Sequence, residues 1–306
     1  MSALREHVAD YLRLRRALGF KLEREGQLLS QLLSYLEAVG STALTSELAI
    51  TWAREPANVL PNHWAKRLGV VRKFAAYLHT IDPTAEVPPP GVFPARRHRP
   101  TPYLWSEGDI CKLLDGARGL RPALRAATHE TLFGLLAASG MRVGEAVSLQ
   151  RDDVDLVAGV VTIRQAKFDR SRLVPLHPSA SEALRRYAGE RDRLCSRPRS
   201  TTFFVSSGGT ALDRSGVGKT FRRITSAMGV RTPMVHPRIH DLRHSFAVDT
   251  LIGWQQSGVG VDEHIGMLST YLGHISPAGT YWYLSASPEL MELAAERLDA
   301  RFGAAR

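Results

Sequence analysis

Residues Tyr271–Leu284 read YLGHISPAGTYWYL, a run holding three tyrosines and one histidine close to the end of a basic chain. Either these tyrosines only pack, or one of them does chemistry. Tyr281 and Tyr283 stand seven and nine residues after His274. Two residues along a helix turn a side chain by about 200°, so the pair cannot face the same partner. A phenol with a pKa near 10 becomes a nucleophile only beside a proton acceptor and groups that stabilise developing charge. Those partners must come from elsewhere in the chain.

The 306 residues are 44% hydrophobic and 23% charged, an ordinary globular balance, and the length suits two domains. Forty Lys and Arg against thirty Asp and Glu leave a net charge of +10. Such a surplus points to a polyanion such as a phosphate backbone, the plainer alternative being solubility alone. No apolar stretch approaches the ~20 residues of a membrane span. Met1–Asp10, MSALREHVAD, has no hydrophobic run of the secretory kind. Cys111 and Cys195, the only two cysteines, fit reduced thiols better than a disulfide framework or a metal centre. A soluble cytoplasmic protein without a membrane partner is expected.

Over residues 1–82 the pattern is helix after helix. Leu4, Val8, Tyr11 and Leu12 recur at helical spacing before Gly19, and a second stripe from Leu28 to Val39 is ended by Gly40. A short third helix starts at Thr45 or Ser46. A fourth runs from Pro61 to about His79, with Trp64, Leu68, Val71, Phe74 and Leu78 on one side. Residues 83–102 then carry seven prolines and the basic run Arg96-Arg97-His98-Arg99. So many prolines exclude a helix and predict an extended, semi-rigid connector, either a strap along a duplex or a plain solvated linker.

Residues 103–306 read as mostly helical with one β patch. GVVTIRQ (Gly159–Gln165) and RLVPL (Arg172–Leu176) flank AKFDRS (Ala166–Ser171), a hairpin pattern. A C-terminal amphipathic helix is expected over 288–303, with Ser287 as its cap and Leu290, Ala294, Leu298 and Phe302 as its apolar stripe. The fold class is therefore mainly α with a small antiparallel β-sheet. One motif misleads: DRSGVGKT (Asp213–Thr220) ends like a phosphate-binding loop, but Asp213 occupies the position where that loop needs glycine. Its carboxylate would repel a triphosphate, so Lys219, Arg222 and Arg223 are left for a phosphate backbone or for solvent.

Four clusters carry residue types suited to a phosphodiester. In ASGMRVGEAVSL (Ala138–Leu149), Ser139-Gly140 should end one helix and Arg142 open the next, where a bidentate guanidinium beside free backbone N–H groups makes an anion site. Glu145, one turn on, can steady that guanidinium. Lys167 sits in the hairpin turn, where a desolvated lysine can donate a proton. In PRIHDLRHSFA (Pro237–Ala247), His240 and Arg243 are three apart and share one face at a helix start, while His244 lies one residue round and reads as structural. The fourth cluster is the opening stretch. Each alone is as easily a surface ion pair, a solvated turn lysine or a packed aromatic.

Taken in order, SGMRVGEAVSL, HDLRHSFA and LGH with a tyrosine nine residues on resemble the tyrosine recombinase (phage integrase) family, and GTYWYLSASPEL is most similar to its transposon- and mobile-element-borne branch. The motifs cover roughly 130–284. The resemblance implies a catalytic domain over 103–306, preceded by a helical, SAM-like core-binding domain over 1–82 and the 83–102 linker. It implies that Arg142, Arg243 and His274 clamp the scissile phosphate and that Lys167 protonates the leaving 5′ oxygen. His240 would assist proton transfer, and Tyr283 would form a 3′-phosphotyrosyl bond, leaving Tyr281, Trp282 and Tyr271 to pack. Double-stranded DNA is the implied partner, with four subunits on two DNA sites, no metal or other cofactor, and accessory proteins left open. Two departures stand out. Ala166 and Phe168 replace glycines often found beside the lysine, and GWQQSGVGVDEH (Gly253–His264) lengthens the stretch before His274, as a contact loop or a tolerated surface extension. A type IB topoisomerase acting on one duplex and a non-catalytic DNA-binding regulator are the alternatives.

Overall fold

Caps and apolar spacing decide where the helices begin and end. A computed structural model describes residues 3–94, 101–166, 170–274, 276, 278–285, 290–292 and 295. The chain divides into two units, Met1–Pro100 and Thr101–Arg306.

The first unit consists of α1 (Ala3–Ala17), α2 (Glu23–Ala38), α3 (Ser46–Arg54) and α4 (Pro61–His79). The Thr45 hydroxyl accepts the Leu48 backbone N–H at 3.2 Å and starts α3, while Pro61 occupies the first turn of α4. Leu29, Leu32, Trp52, Leu68, Val71 and Phe74 are fully buried between these helices. Val39, expected on the second stripe, is exposed because it falls past the end of α2. Arg67 is buried as well: its guanidinium lies 3.8 Å from the Trp52 ring and donates to the Trp52 carbonyl at 2.9 Å.

The proline-rich stretch does not stand away from this unit as an extended strap over its described part. Arg72 donates to the Pro88 and Pro89 carbonyls at 2.8 and 2.7 Å, Glu86 accepts the Ser46 N–H at 2.8 Å, and Phe93 is buried against Trp64. Proline leaves its carbonyl free to accept, and here an arginine takes up two of them. Residues 96–99, the basic run, lie outside the described residues.

In the second unit α5 (Glu107–Arg118), α6 (Ala123–Ser139) and α7 (Val143–Ser148) precede a three-stranded antiparallel sheet. Its strands are β1 (Val154–Asp155), β2 (Val160–Ala166) and β3 (Arg170–Pro175), in spatial order β1-β2-β3. β2 and β3 form the expected hairpin, with Val161 opposite Val174 and Ile163 opposite Arg172. Val161, Ile163 and Val174 face the core, and Leu173 faces water. Next come α8 (Pro178–Leu194) and α9 (Arg214–Ala227). Asp213 caps α9 by accepting the Gly216 N–H at 2.8 Å, which accounts for the misleading GKT run: its residues are ordinary helix. Leu132, Phe133, Ala146, Val161, Phe204 and Phe221 centre the main core.

α10 (Asp241–Gln256), α11 (Val261–Leu272) and α12 (Ala278–Tyr281), followed by a 3₁₀ turn over Trp282–Ser285, build a second cluster around Ala247, Leu251, Leu268 and Leu272. The 253–264 stretch is largely helical. It is the last turn of α10, a short connection, and the first turn of α11, because Val261 is buried and Trp254 packs on His264 at 5.6 Å. The helix expected over 288–303 falls mostly outside the described residues, although Leu290 is buried in this cluster.

Candidate active site

Two left-handed glycines shape the site. α6 stops at Gly140, with φ 59°, where a Cβ would lie 2.4 Å from the Phe246 ring. The chain turns there and Arg142 becomes the cap of α7. Its backbone N–H donates to one Glu145 carboxylate oxygen at 2.9 Å and its Nη1 to the other at 2.8 Å. α11 stops at Gly273, with φ 67°, where a Cβ would lie 2.5 Å from Arg172 Nη1. Each glycine carbonyl then holds an arginine from elsewhere: Gly273 accepts from Arg142 Nη2 at 3.0 Å, and Gly140 from Arg243 Nη1 at 2.8 Å. Helix C-termini carry partial negative charge, which suits them to this task.

Arg243, only 1% exposed, donates further to the Leu272 carbonyl at 2.7 Å. Burial lowers its pKa to about 10, with Tyr283 beside it opposing, so it remains cationic at neutral pH. Its Nη2 also lies 2.9 Å from His274 Nε2. A guanidinium has only donors, so Nε2 accepts and the ring proton sits on Nδ1, which donates to Thr280 Oγ1 at 2.7 Å. Burial, reinforced by Arg243 and Arg142, pulls His274 down to about 4 and keeps it neutral at pH 7. His240 is drawn to about 4 by burial among its neighbours and then by Arg243, although part of the residue meets solvent.

Tyr283 is 2% exposed. Its ring stacks on His274 with centroids 6.0 Å apart and meets His244 edge-on at 5.3 Å; His244 in turn meets His240 at 4.9 Å. Tyr281, expected to pack, is instead 47% exposed. α12 ends at Tyr281 and tightens into the 3₁₀ turn, which carries Trp282 and Tyr283 inward and leaves Tyr281 in water. Tyr271 does pack, stacked on Phe246, and its hydroxyl donates to the Pro175 carbonyl at 3.3 Å.

Five of the six expected residues, Arg142, His240, Arg243, His274 and Tyr283, thus gather from three separate segments at one site. The sixth, Lys167, lies outside the described residues. Two further contributors escaped the sequence reading. Thr280 fixes the His274 tautomer, and no spacing rule marks it. Arg172 donates to both Glu145 oxygens, at 3.2 and 2.8 Å, and to the Tyr271 carbonyl at 3.0 Å. Its signal was available: strand alternation puts Arg172 on the same face as Val174, and an arginine on a core-facing register needs an acid. Two permanent cations, two neutral imidazoles and a phenol around one spot can bind a single phosphodiester, offset the charge of a five-coordinate state and accept a phenolic proton.

The chain belongs to the phage integrase family, whose pattern it matches over residues 109–289. It is 43% identical to the putative integrase/recombinase y4rB of Sinorhizobium fredii (strain NBRC 101917 / NGR234) over 310 residues, 99% of each chain. It is 28% identical to tyrosine recombinase XerD of Oceanobacillus iheyensis over 221 residues, 72% of this chain and 69% of that one. The fold is similar to that of the Tn1549 transposon integrase solved with transposon right-end DNA, with a TM-score of 0.66 and 16% identity over 97% of this chain and 99% of the other.

Proposed function

We propose that Tyr283 attacks the scissile phosphorus of a DNA strand while Arg142, Arg243 and His274 hold the non-bridging oxygens, His274 by taking up a proton at Nε2 when the phosphate offsets the surrounding cations and displaces its contact with Arg243, that His240 assists removal of the phenolic proton, and that Lys167 delivers a proton to the departing 5′ oxygen. The chain is a tyrosine-type site-specific DNA recombinase, an enzyme that cuts and rejoins strands. In the balanced step the Tyr283 oxygen bonds to phosphorus as the bond from phosphorus to the 5′ oxygen breaks. The phenolic proton leaves through the imidazole side, and the new 5′ hydroxyl gains its proton from the lysine. Because the phosphodiester energy is kept in the tyrosyl link, a 5′ hydroxyl from another duplex can reverse the step. The single observation supporting this reading is the convergence of both arginines, both histidines and Tyr283.

The finer reading is that the substrate is double-stranded DNA flanking a mobile element, that the first unit grips the duplex as a core-binding domain, and that four subunits assemble on two sites in the cytoplasm. Among the described residues no helix is long and apolar enough to cross a membrane. The recombinase relatives support strand exchange over relaxation of one duplex. The test is covalent capture on nicked duplexes from DNA flanking the gene. Tyr283→Phe should abolish the protein–DNA adduct while DNA binding persists, and Tyr281→Phe should leave the adduct intact. The opposite pattern would refute the assignment, and a two-duplex exchange assay beside supercoil relaxation separates recombinase from topoisomerase.

A further inference from the structure

Arg142 does not stand alone as a cation, because a carboxylate touches it. Glu145 bonds both its backbone and its guanidinium, so the pair Arg142–Glu145 by itself sums to zero charge. The second guanidinium changes that balance. Arg172 reaches Glu145 from β3, bonding both carboxylate oxygens, with its side chain only 11% exposed and that of Glu145 only 12%. Two cations about one anion leave the trio at +1. The geometry points to Arg172 as a positioning and charge-balancing residue of the phosphate site, which lets Glu145 orient Arg142 without cancelling its attraction for the scissile phosphate.

Several observations converge on this. The Arg142 side chain remains 38% exposed, open to an incoming anion, whereas that of Arg172 is 11% exposed and its guanidinium nitrogens are taken up by Glu145 and the Tyr271 carbonyl. Arg172 is also fixed from behind by the Tyr271 carbonyl and crowded by Gly273, so its fork is held toward Glu145. At short range in a partly dehydrated site, one unit of charge strongly changes anion attraction. Acting through Glu145, Arg172 would influence the reaction without touching it, as outer-shell partners of other charged centres do. The inference rests on the reading of Arg142 as a phosphate clamp given above.

The test is a charge cycle in single-turnover covalent capture, using nicked duplexes from DNA flanking the gene that the wild-type chain captures. Arg172→Gln takes the trio from +1 to 0 and should slow adduct formation by roughly tenfold to a hundredfold, the range typical of lost outer-shell partners. Adding Glu145→Gln returns the trio to +1, with Arg142 alone charged. The double variant should therefore react faster than the single Arg172→Gln variant. Arg172→Lys keeps the charge and should also exceed the Gln variant, which keeps the test sharp even where Gln lowers folding yield. A purely architectural role predicts the reverse, since the double variant loses more bonds; a double variant as slow as Arg172→Gln, or a Lys variant no better than Gln, overturns the assignment. If the wild-type chain captures none of the duplexes while binding them, the reading of the whole site fails, and the inference with it.

Discussion

Replacing Gly140 by alanine tests whether helix ends set the catalytic geometry. The residue has φ 59°, and an added methyl carbon would sit 2.4 Å from Phe246 Cδ1 and 3.1 Å from Leu272 Cδ2. Left-handed backbone costs a residue with a side chain about 1–2 kcal/mol, and overpacking a core costs about 1–3 kcal/mol. The sum is roughly 2–5 kcal/mol of stability. The Phe246 ring is itself held by stacking on Tyr271. Gly144 serves as the control: four residues on and inside α7, it has nothing within 4 Å of an added Cβ. Alanine there should be neutral or stabilising by up to about 1 kcal/mol through helix propensity. Urea unfolding of both variants measures the difference, and single-turnover DNA capture reads the chemistry. Since the Gly140 carbonyl anchors Arg243, the Gly140→Ala variant should also cut capture at least about tenfold, a fraction of the loss seen when an oxyanion donor is removed. Equal stability of the two alanine variants would refute the steric reasoning, and full activity in a destabilised Gly140→Ala chain would refute the link to Arg243.

Three other outcomes are expected. His274 titrates near 4 in the folded chain but at the ordinary imidazole value when unfolded. Between those values the unfolded chain binds more protons, so stability is lost as pH falls from about 6.5 toward 4; urea unfolding across that range should show a shallower dependence in His274→Gln, and an unchanged slope would count against it. Thr280→Val leaves the His274 Nδ1–H without its acceptor inside the fold, which should cost about 1–3 kcal/mol and slow DNA capture; a variant matching wild type in both measurements contradicts the tautomer assignment. Tetranitromethane should nitrate exposed Tyr281 before buried Tyr283 in the DNA-free chain, read by peptide mass mapping, and the reverse order would show that the phenol is already uncovered.

Local signals in the sequence carried much of this architecture. Thr45 and Pro61 announce helix starts through chemistry that acts within one turn, and Gly140 announces a stop that only a residue without a side chain can make here. The same locality explains the choice between Tyr281 and Tyr283, which lie two residues apart and end in opposite environments. What escaped depends on distance along the chain. Arg172 and Glu145 are 27 residues apart, and Arg72 meets the Pro88 and Pro89 carbonyls from 16 and 17 residues away. Composition marks 83–102 as non-helical, yet a proline-rich segment extends or docks according to the donors its neighbours offer. The two-residue β1 lacks any run long enough to register as periodic. The helical ends of the 253–264 stretch were not legible from its spacing, because they rest on the burial of Val261 and the Trp254–His264 contact.

The guanidinium groups of Arg142 and Arg243 are both moored to main-chain oxygens, those of Gly140, Leu272 and Gly273. A main-chain oxygen survives every point mutation, so sequence drift in the surrounding helices can exchange most side chains without cutting these moorings. Their weak points include Gly140 and Gly273, where an added Cβ would meet a neighbour at 2.4 and 2.5 Å, and the Glu145 carboxylate that steadies Arg142. On the proposed reading of the site, a lineage can therefore alter how it grips its target while the two arginines stay in register.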